Sequence, residues 1–450
     1  MTLIETHSGI RGIYGDSLDE SLVHRYGHSF LEAMNLDKNS TVVIGHDTRK
    51  YNNKLKEVLL KLPCNIIDIG VASTPLIQNA VRHFNASGGF MLTASHNEPE
   101  WHGIKFLDNS GAQIEPEHAK KVIEIKKLGK NVNISNNVSL LDKRKEAYRA
   151  YRNFIFSHLG KEGVEKIKEK NFKIAIDPNG GAAVELLHIF DELSIETIKL
   201  HHELGKFGRI IEPKPETLTK LKEIVGKENV EFGIGFDCDA DRGEFITSNG
   251  LSNGDNILAV CIDNFLSEIE NKESEFVVVN EQTSYVTKKV TEKHRAKFVE
   301  VPVGENYVVK KMKELNSKIG GEGTSSGVIM APSRCRDGLL GALHILKFIA
   351  ITGKNLNTML EELPEYHFID DKFPLASISL NEMINKLKKY YSGRDFIVKD
   401  VPNGLKVWPN RDSFVMLRGS NTEPIVRIRS DSPSKSKTEK LFNELKSLLR

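Results

Sequence analysis

Apolar residues fall in short runs that end in small or polar residues: Thr41 to Ile44, Gly89 to Leu92, Phe172 to Ile176, Phe232 to Phe236, Phe276 to Val279 and Phe298 to Val301. Runs this short, without alternation, predict strands covered on both faces. Between them the period changes to that of a helix. Thr74 and Pro75 read as N-cap and first-turn residue, followed by Leu76, Ile77, Ala80, Val81 and Phe84 at helical spacing. The alternation predicts α/β units.

The pattern also predicts how the chain divides. At roughly 150 residues per domain, 450 residues make about three or four units. Gly129 to Asn137 carries four asparagines and no helical period, and reads as a surface loop. A second strand and helix series starts at Phe172, and a third with the apolar helix around Asp255 to Leu266. After Pro364 the strands shorten, as at Phe414 to Leu417 and Ile425 to Ile428. A last helix there buries Leu441, Leu445 and Leu448 and turns its lysines to water. Three similar mixed α/β domains, 1–150, 151–254 and 255–365, are thus expected before a smaller α+β domain, 366–450. Three strand ends, at Asp47, Asp177 and Asn280, share a polar turn and a following helix, which hints at an internal repeat.

Composition narrows the class. Hydrophobic residues make up 39% and charged residues 28%, enough for packed cores. The net charge of +2, from 63 basic and 61 acidic residues, gives no reason to expect nucleic acid or a membrane as partner. Cys64, Cys238, Cys261 and Cys335 form no CxxC pair, which fits a reducing compartment. Met1 to Gly12 has no apolar targeting core, and a cytoplasmic protein is expected.

Four segments carry candidate chemistry. Thr93-Ala94-Ser95-His96-Asn97 follows an apolar strand, where a hydroxyl meets ligands beyond the strand ends, with Lys105 ten residues on. The same pattern also suits a turn capping a helix. Asp237, Asp239 and Asp241 alternate after another strand; clustered carboxylates repel without a cation, and oxygen ligands favour Mg²⁺ over zinc. Cys238 between them reads as a small buried side chain. Arg418-Gly419-Ser420-Asn421-Thr422-Glu423-Pro424 gathers a guanidinium, hydroxyls and backbone donors, as a phosphate needs or as a capping turn supplies, and Arg427 adds charge. Gly320 to Gly327 lacks the lysine of a P-loop and the spacing of a dinucleotide loop. Its Glu322 suits sugar hydroxyls, although a flexible surface loop has the same composition.

Taken in order, TASHN, GIK, D-x-D-x-D-R, GGEG and R-x-S-N-T-E-P resemble the α-D-phosphohexomutase family over nearly the whole chain. The resemblance implies four domains around one central cleft. It implies a phosphoserine at Ser95, a single Mg²⁺ held by Asp237, Asp239, Asp241 and the Ser95 phosphate, and a substrate-side Arg242. Arg11, Lys105 and His96 match positions that would stabilise charge and move protons. Glu322 with Thr324 or Ser325 would contact the sugar, and Arg418, Ser420, Asn421 and Thr422 would clamp its phosphate. The implied reaction interconverts hexose 1-phosphate and hexose 6-phosphate, with hexose 1,6-bisphosphate as intermediate and activator. The rivals are a metal-dependent sugar-phosphate phosphatase, for which the aspartates alone suffice, and a non-catalytic sugar-phosphate-binding protein. A closing motion of the last domain would exclude water. The chain departs from the pattern at Glu98, where proline is usual, at His102, where Asn is common, and at His46 in a motif often written GRDTR. The Glu322 loop is one residue longer and lacks a histidine, and Glu305 occupies a position that differs between subfamilies. Which hexose is preferred, and the oligomeric state, stay open.

Overall fold

Strands that lie inside a parallel sheet are covered on both faces, so nearly every residue of the expected runs is apolar and buried. Thr41–His46, Gly88–Leu92, Lys173–Asp177, Gly233–Phe236 and Phe276–Asn280 all form such strands; Lys297–Val301, at a sheet edge, is only half covered. The structure is a computed structural model that describes residues 3–129, 139–323, 326–374, 379–419 and 425–449. Thr324, Ser325, Ser420, Asn421 and Thr422, and all of the asparagine-rich segment beyond Gly129, lie outside the described residues.

The described residues form four sheets. The first has seven strands; Gly88–Leu92 sits inside it, parallel to Thr41–His46 and antiparallel to Trp101–Leu107, which in turn pairs with Gly9–Ile13. In the second, Gly233–Phe236 lies between Lys173–Asp177 and the antiparallel Gly243–Thr247. The third places Ile319–Glu322 beside Phe276–Asn280. The fourth is antiparallel throughout, His367–Pro374 at one edge and Ile397–Val401 at the other. Three mixed α/β sheets followed by an α+β unit is the architecture read from periodicity.

The first three units share a core. Tyr151, Ile155 and Leu159 of the helix Arg144–Lys170, which bends at Gly160, pack in one buried cluster with Leu340 and Leu343 of Gly338–Thr352 and Leu258 of Gly254–Glu268. The last unit has a separate core, which includes Leu441 and Leu445, with Leu448 packed at its margin. Tyr285 of the third unit packs in a small apolar cluster with Val401, Phe414 and Met416 of the last, and polar contacts add to this docking: Arg429 Nη2 donates to Asp255 at 2.5 Å, and Lys406 Nζ to the Glu281 carbonyl and the Glu300 carboxylate at 2.7 and 2.6 Å. A buried charge kept in this way needs its partners in place.

The helix Thr74–His83 differs from expectation by one residue at its start. Ser73, with extended backbone, is the N-cap and its hydroxyl accepts from the Leu76 amide. Thr74 thereby enters the first turn and its hydroxyl is free for another task. Among the described residues, no helix is long and apolar enough to cross a membrane.

Candidate active site

Ser95 stands three residues past the strand Gly88–Leu92, in the left-handed region at φ 51°. A non-glycine residue held there signals a turn fixed by its surroundings. The fixing group is Arg49, which is buried. Its guanidinium donates to the carbonyls of Ser95 and Asn97 through Nη2 (2.7 and 2.6 Å) and of Glu98 and Trp101 through Nη1 (2.6 and 2.9 Å). Nε and the Arg49 amide both reach the Asp47 carboxylate, at 3.1 and 3.0 Å. Asn52 joins Asp47 to the Leu92 carbonyl, and His102 holds Asn52 through Nδ1 at 2.9 Å. Gly103 lets the neighbouring strands close up, since a Cβ there would stand 2.4 Å from the Ile10 carbonyl oxygen and 2.8 Å from that of Thr93.

The Ser95 side chain is left for the ligand side. Its Oγ donates to Asp237 Oδ2 at 3.1 Å, across from the second unit, and lies 3.4 Å from His96 Nδ1. Burial, with the charges of Arg242 and Arg11, holds the His96 pKa well below its ordinary value, so the ring is neutral at pH 7. Arg11 donates to the Asn97 side chain at 2.6 Å.

Asp237, Asp239 and Asp241 are buried, and each offers a carboxylate oxygen to a cluster within 4.8 Å. Burial and the Asp241 and Asp239 charges push the Asp237 carboxyl well above the usual range. Burial opposes ionisation of Asp241 as well, but Arg336, Lys105 and Arg242 outweigh it and hold that carboxyl low. Lys105 Nζ reaches Asp239 Oδ2 at 2.7 Å and Asp241 Oδ2 at 3.0 Å; despite burial, those charges raise its pKa. The freed Thr74 hydroxyl donates to Asp239 Oδ2 at 2.6 Å. Among the described residues, Asp239 Oδ1 and Asp241 Oδ1 are buried without a hydrogen bond. Two orphaned carboxylate oxygens beside a third carboxylate suit a hard divalent cation. Cys238 is buried, its Sγ 3.8 Å from the Thr48 hydroxyl.

Arg336 ties this loop to the third unit. It donates to Asp241 Oδ2 (3.2 Å) and to Glu305 Oε2 (3.1 Å), and pairs with Glu322 Oε2 (3.2 Å). Glu322 also accepts from Asn280 Nδ2 and the Gly304 amide, at 2.7 and 3.1 Å. From the last unit, Arg418 lines a cavity of about 140 Å³ with His7, Glu281 and Tyr307, so the first, third and fourth units meet there. Arg427 stands directly across from Arg418 on the next strand. Burial and the Arg427 charge depress the Arg418 pKa, and the carboxylates of Glu322 and Glu281 offset this only in part. Arg242 bonds Glu212 at 3.1 Å and stands 4.0 Å from Asp237.

Three models of the phosphoglucomutase/phosphomannomutase alpha/beta/alpha domains match in order: domain I over residues 3–132, domain II over 150–250 and domain III over 253–366. The chain belongs to the phosphoglucomutase/phosphomannomutase family. It is 30% identical to a phosphoglucomutase/phosphomannomutase of Thermococcus kodakarensis, over 95% of this chain and 94% of that protein. A phosphoglucosamine/phosphogalactosamine mutase of Sulfurisphaera tokodaii is 26% identical over 98% of both. The fold matches the open form of parafusin, a phosphoglucomutase of Paramecium, with a TM-score of 0.83 at 18% identity, over 99% of this chain and 94% of that one.

Within this family frame, the structure brings Ser95, His96, Lys105, Arg11, the three aspartates and Arg242 together, and joins Glu322 to them through Arg336. Arg418 and Arg427 face the same meeting of units from the last sheet. Sequence reading passed over Arg49, Asn52, Thr74, Glu281 and Arg336. For Arg49 a signal existed in Gly45-His46-Asp47-Thr48-Arg49, next to the His46 departure; a lone Arg336 offered none.

Proposed function

We propose that this phosphohexomutase interconverts hexose 1-phosphate and hexose 6-phosphate through a phosphorylated Ser95 and a hexose 1,6-bisphosphate that also primes the enzyme. The observation that carries this reading is the contact between Ser95 Oγ and Asp237 at 3.1 Å, because it sets a nucleophile from one unit against a cation-binding carboxylate cluster from another. A phosphatase working through an aspartate needs no serine there.

Asp237, Asp239 and Asp241 would hold the cation, one per site, together with the Ser95 phosphate. Bound Mg²⁺ would neutralise charge on the transferring phosphoryl group. The chain's own groups do the rest. Arg49 holds the serine loop, Lys105 and Arg11 supply positive charge, and neutral His96 accepts or returns a proton near Ser95 Oγ. Arg242 acts on the substrate side. Glu322, with Thr324 or Ser325, takes sugar hydroxyls, and the cation pair Arg418 and Arg427, with Ser420, Asn421 and Thr422, clamps the phosphate that is not reacting. One fixed clamp and one reacting position let the bisphosphate turn over and present its other end. The separate core of the last unit favours its closing on the cleft as a body. The same reading divides the chain into 1–150, 151–254, 255–365 and 366–450, and places it in the cytoplasm.

The test is intact mass and peptide mapping of Ser95 before and after incubation with glucose 1,6-bisphosphate and Mg²⁺. A transferable phosphate on Ser95 is expected, and Ser95→Ala is expected to remove mutase turnover by at least about 10³-fold. Phosphate release that survives Ser95→Ala would favour the phosphatase, and sugar-phosphate binding without turnover in the wild type would favour a sensor.

A further inference from the structure

Away from the serine and aspartate loops, a cleft of about 660 Å³ opens between the first unit and the start of the second. That volume is in the range of sites for small organic ligands, and unit boundaries are where such sites form. Its floor is apolar, made by Ile69 and Val71 at the end of one strand and Leu76 in the first turn of Thr74–His83. One wall is a face of the helix Arg144–Lys170, where Lys145, Tyr148, Arg149 and Arg152 recur at helical spacing.

The cations of that wall are of two kinds. Arg144 and Arg152 are committed, to Asp142 and Glu192. Among the described residues, Lys145 and Arg149 have neither an ion pair nor a side-chain hydrogen bond. The Tyr148 ring stands in the same wall and meets His188 edge-on at 5.6 Å. The lining also holds two carboxylates, Glu192, which pairs with Arg152, and Glu185. Two free cations against the one carboxylate of Glu185, an aromatic pair and an apolar floor are together the complement of an anion that carries a flat ring.

We propose that this cleft binds a small organic phosphate, a monoester dianion carrying a flat ring, with Lys145 and Arg149 on the phosphate and the ring over Leu76 and His188. The site is separate from the proposed phosphate clamp at Arg418 and does not rest on the mutase reading. It lies one helical turn from the aspartate loop, since Thr74 of the same helix donates to Asp239 through its amide at 2.9 Å and its hydroxyl at 2.6 Å.

The probe is adenosine 5′-monophosphate, titrated calorimetrically into the full chain without Mg²⁺, with inorganic phosphate and adenosine as separate arms. The nucleotide is expected to bind at least about tenfold more tightly than either fragment. The double variant Lys145→Glu with Arg149→Glu is expected to weaken it by about tenfold or more, with unchanged thermal midpoint. Arg418→Ala is expected to leave it unchanged. No binding by the wild type, binding kept by the charge-reversed variant, or binding lost in Arg418→Ala would each overturn the assignment.

Discussion

The serine loop and the aspartate loop meet at 3.1 Å but are held in opposite ways. The serine loop is fixed through its main chain. Arg49 takes four of its carbonyls, and Asp47 neutralises Arg49 from behind, so the Ser95 hydroxyl carries almost none of the load. The second unit repeats the device at its strand end, where Arg209 bonds Asp177 and the Phe236 carbonyl at 2.7 Å each. Beyond Phe236, however, the aspartates themselves are gripped, by Lys105, Thr74, Arg336 and Arg242. A serine proposed as nucleophile has to stay free while its backbone stays fixed. Carboxylates proposed to hold a cation need a positive charge that a metal ion is able to replace in part.

The sharpest way to break this contrast is Arg49→Met. It leaves the Asp47 carboxylate buried and unpaired and four carbonyls without their donor, a loss of about 3–5 kcal/mol that Mg²⁺ does not restore. Urea midpoints with and without Mg²⁺ measure it; a near-native midpoint would show that the loop holds itself. Lys105→Met acts on the other side. It removes the cation between Asp239 and Asp241 and is expected to lower stability by about 2–4 kcal/mol without metal, with much of that regained in Mg²⁺. Equal Mg²⁺ responses in both variants would erase the distinction.

Arg336→Gln probes the link between loops. It leaves both ends in place but cuts the tie from Asp241 to Glu322, so KM for the hexose phosphate is expected to rise by about tenfold with a smaller change in kcat. Arg336→Lys is expected to rescue little, because one ammonium does not reach three carboxylates as the planar guanidinium fork does. A change confined to kcat would instead place Arg336 in the chemistry.

The same contrast explains what was legible in the sequence. Buried parallel strands announce themselves as apolar runs, so the strands of the three α/β units could be read to within a residue or two; the tail strands, expected to shorten, instead run on past their apolar runs, as Ser413–Gly419 and Ile425–Ser432, because an antiparallel sheet with one face to water alternates apolar and polar positions. Ser95 and the three aspartates were legible because their chemistry is written in consecutive residues. Arg49 and Arg336 act on groups 46 and 95 residues away, and a single arginine in sequence looks like surface. The start of Thr74–His83 was ambiguous because two hydroxyl residues precede Pro75; backbone geometry gave the cap to Ser73 and sent Thr74 to Asp239. The expected boundary at 150 falls within Arg144–Lys170, where amphipathic character continues past the kink at Gly160. The hint of a repeat at Asp47, Asp177 and Asn280 has a physical counterpart, since each side chain accepts from the backbone amide two residues on.

The smallest effect at neutral pH, and the one that separates support of the serine loop from its chemistry, is His102→Asn. Buried between Asn52 and the rings of Tyr14 and Tyr51, His102 has its pKa lowered to about 4 by burial, against an ordinary 6.5, while Asp47 pulls the other way. The folded ring is therefore neutral, and the unfolded chain takes up a proton first as pH falls below 6.5. Stability from this residue is full above that pH and is lost on the way down to about 4, by roughly 3 kcal/mol at most. Asparagine offers a donor to Asn52 without a proton to gain, so the variant is expected to lose about 1–2 kcal/mol at pH 7 through lost ring packing and yet to fall less steeply between pH 7 and 4.5. His344, lowered to about 3 by burial, keeps some acid sensitivity in both proteins. Urea midpoints across that range decide it. An unchanged acid slope would mean that protonation of His102 is absorbed locally, and that the Asp47, Arg49 and Asn52 network is looser than its distances imply.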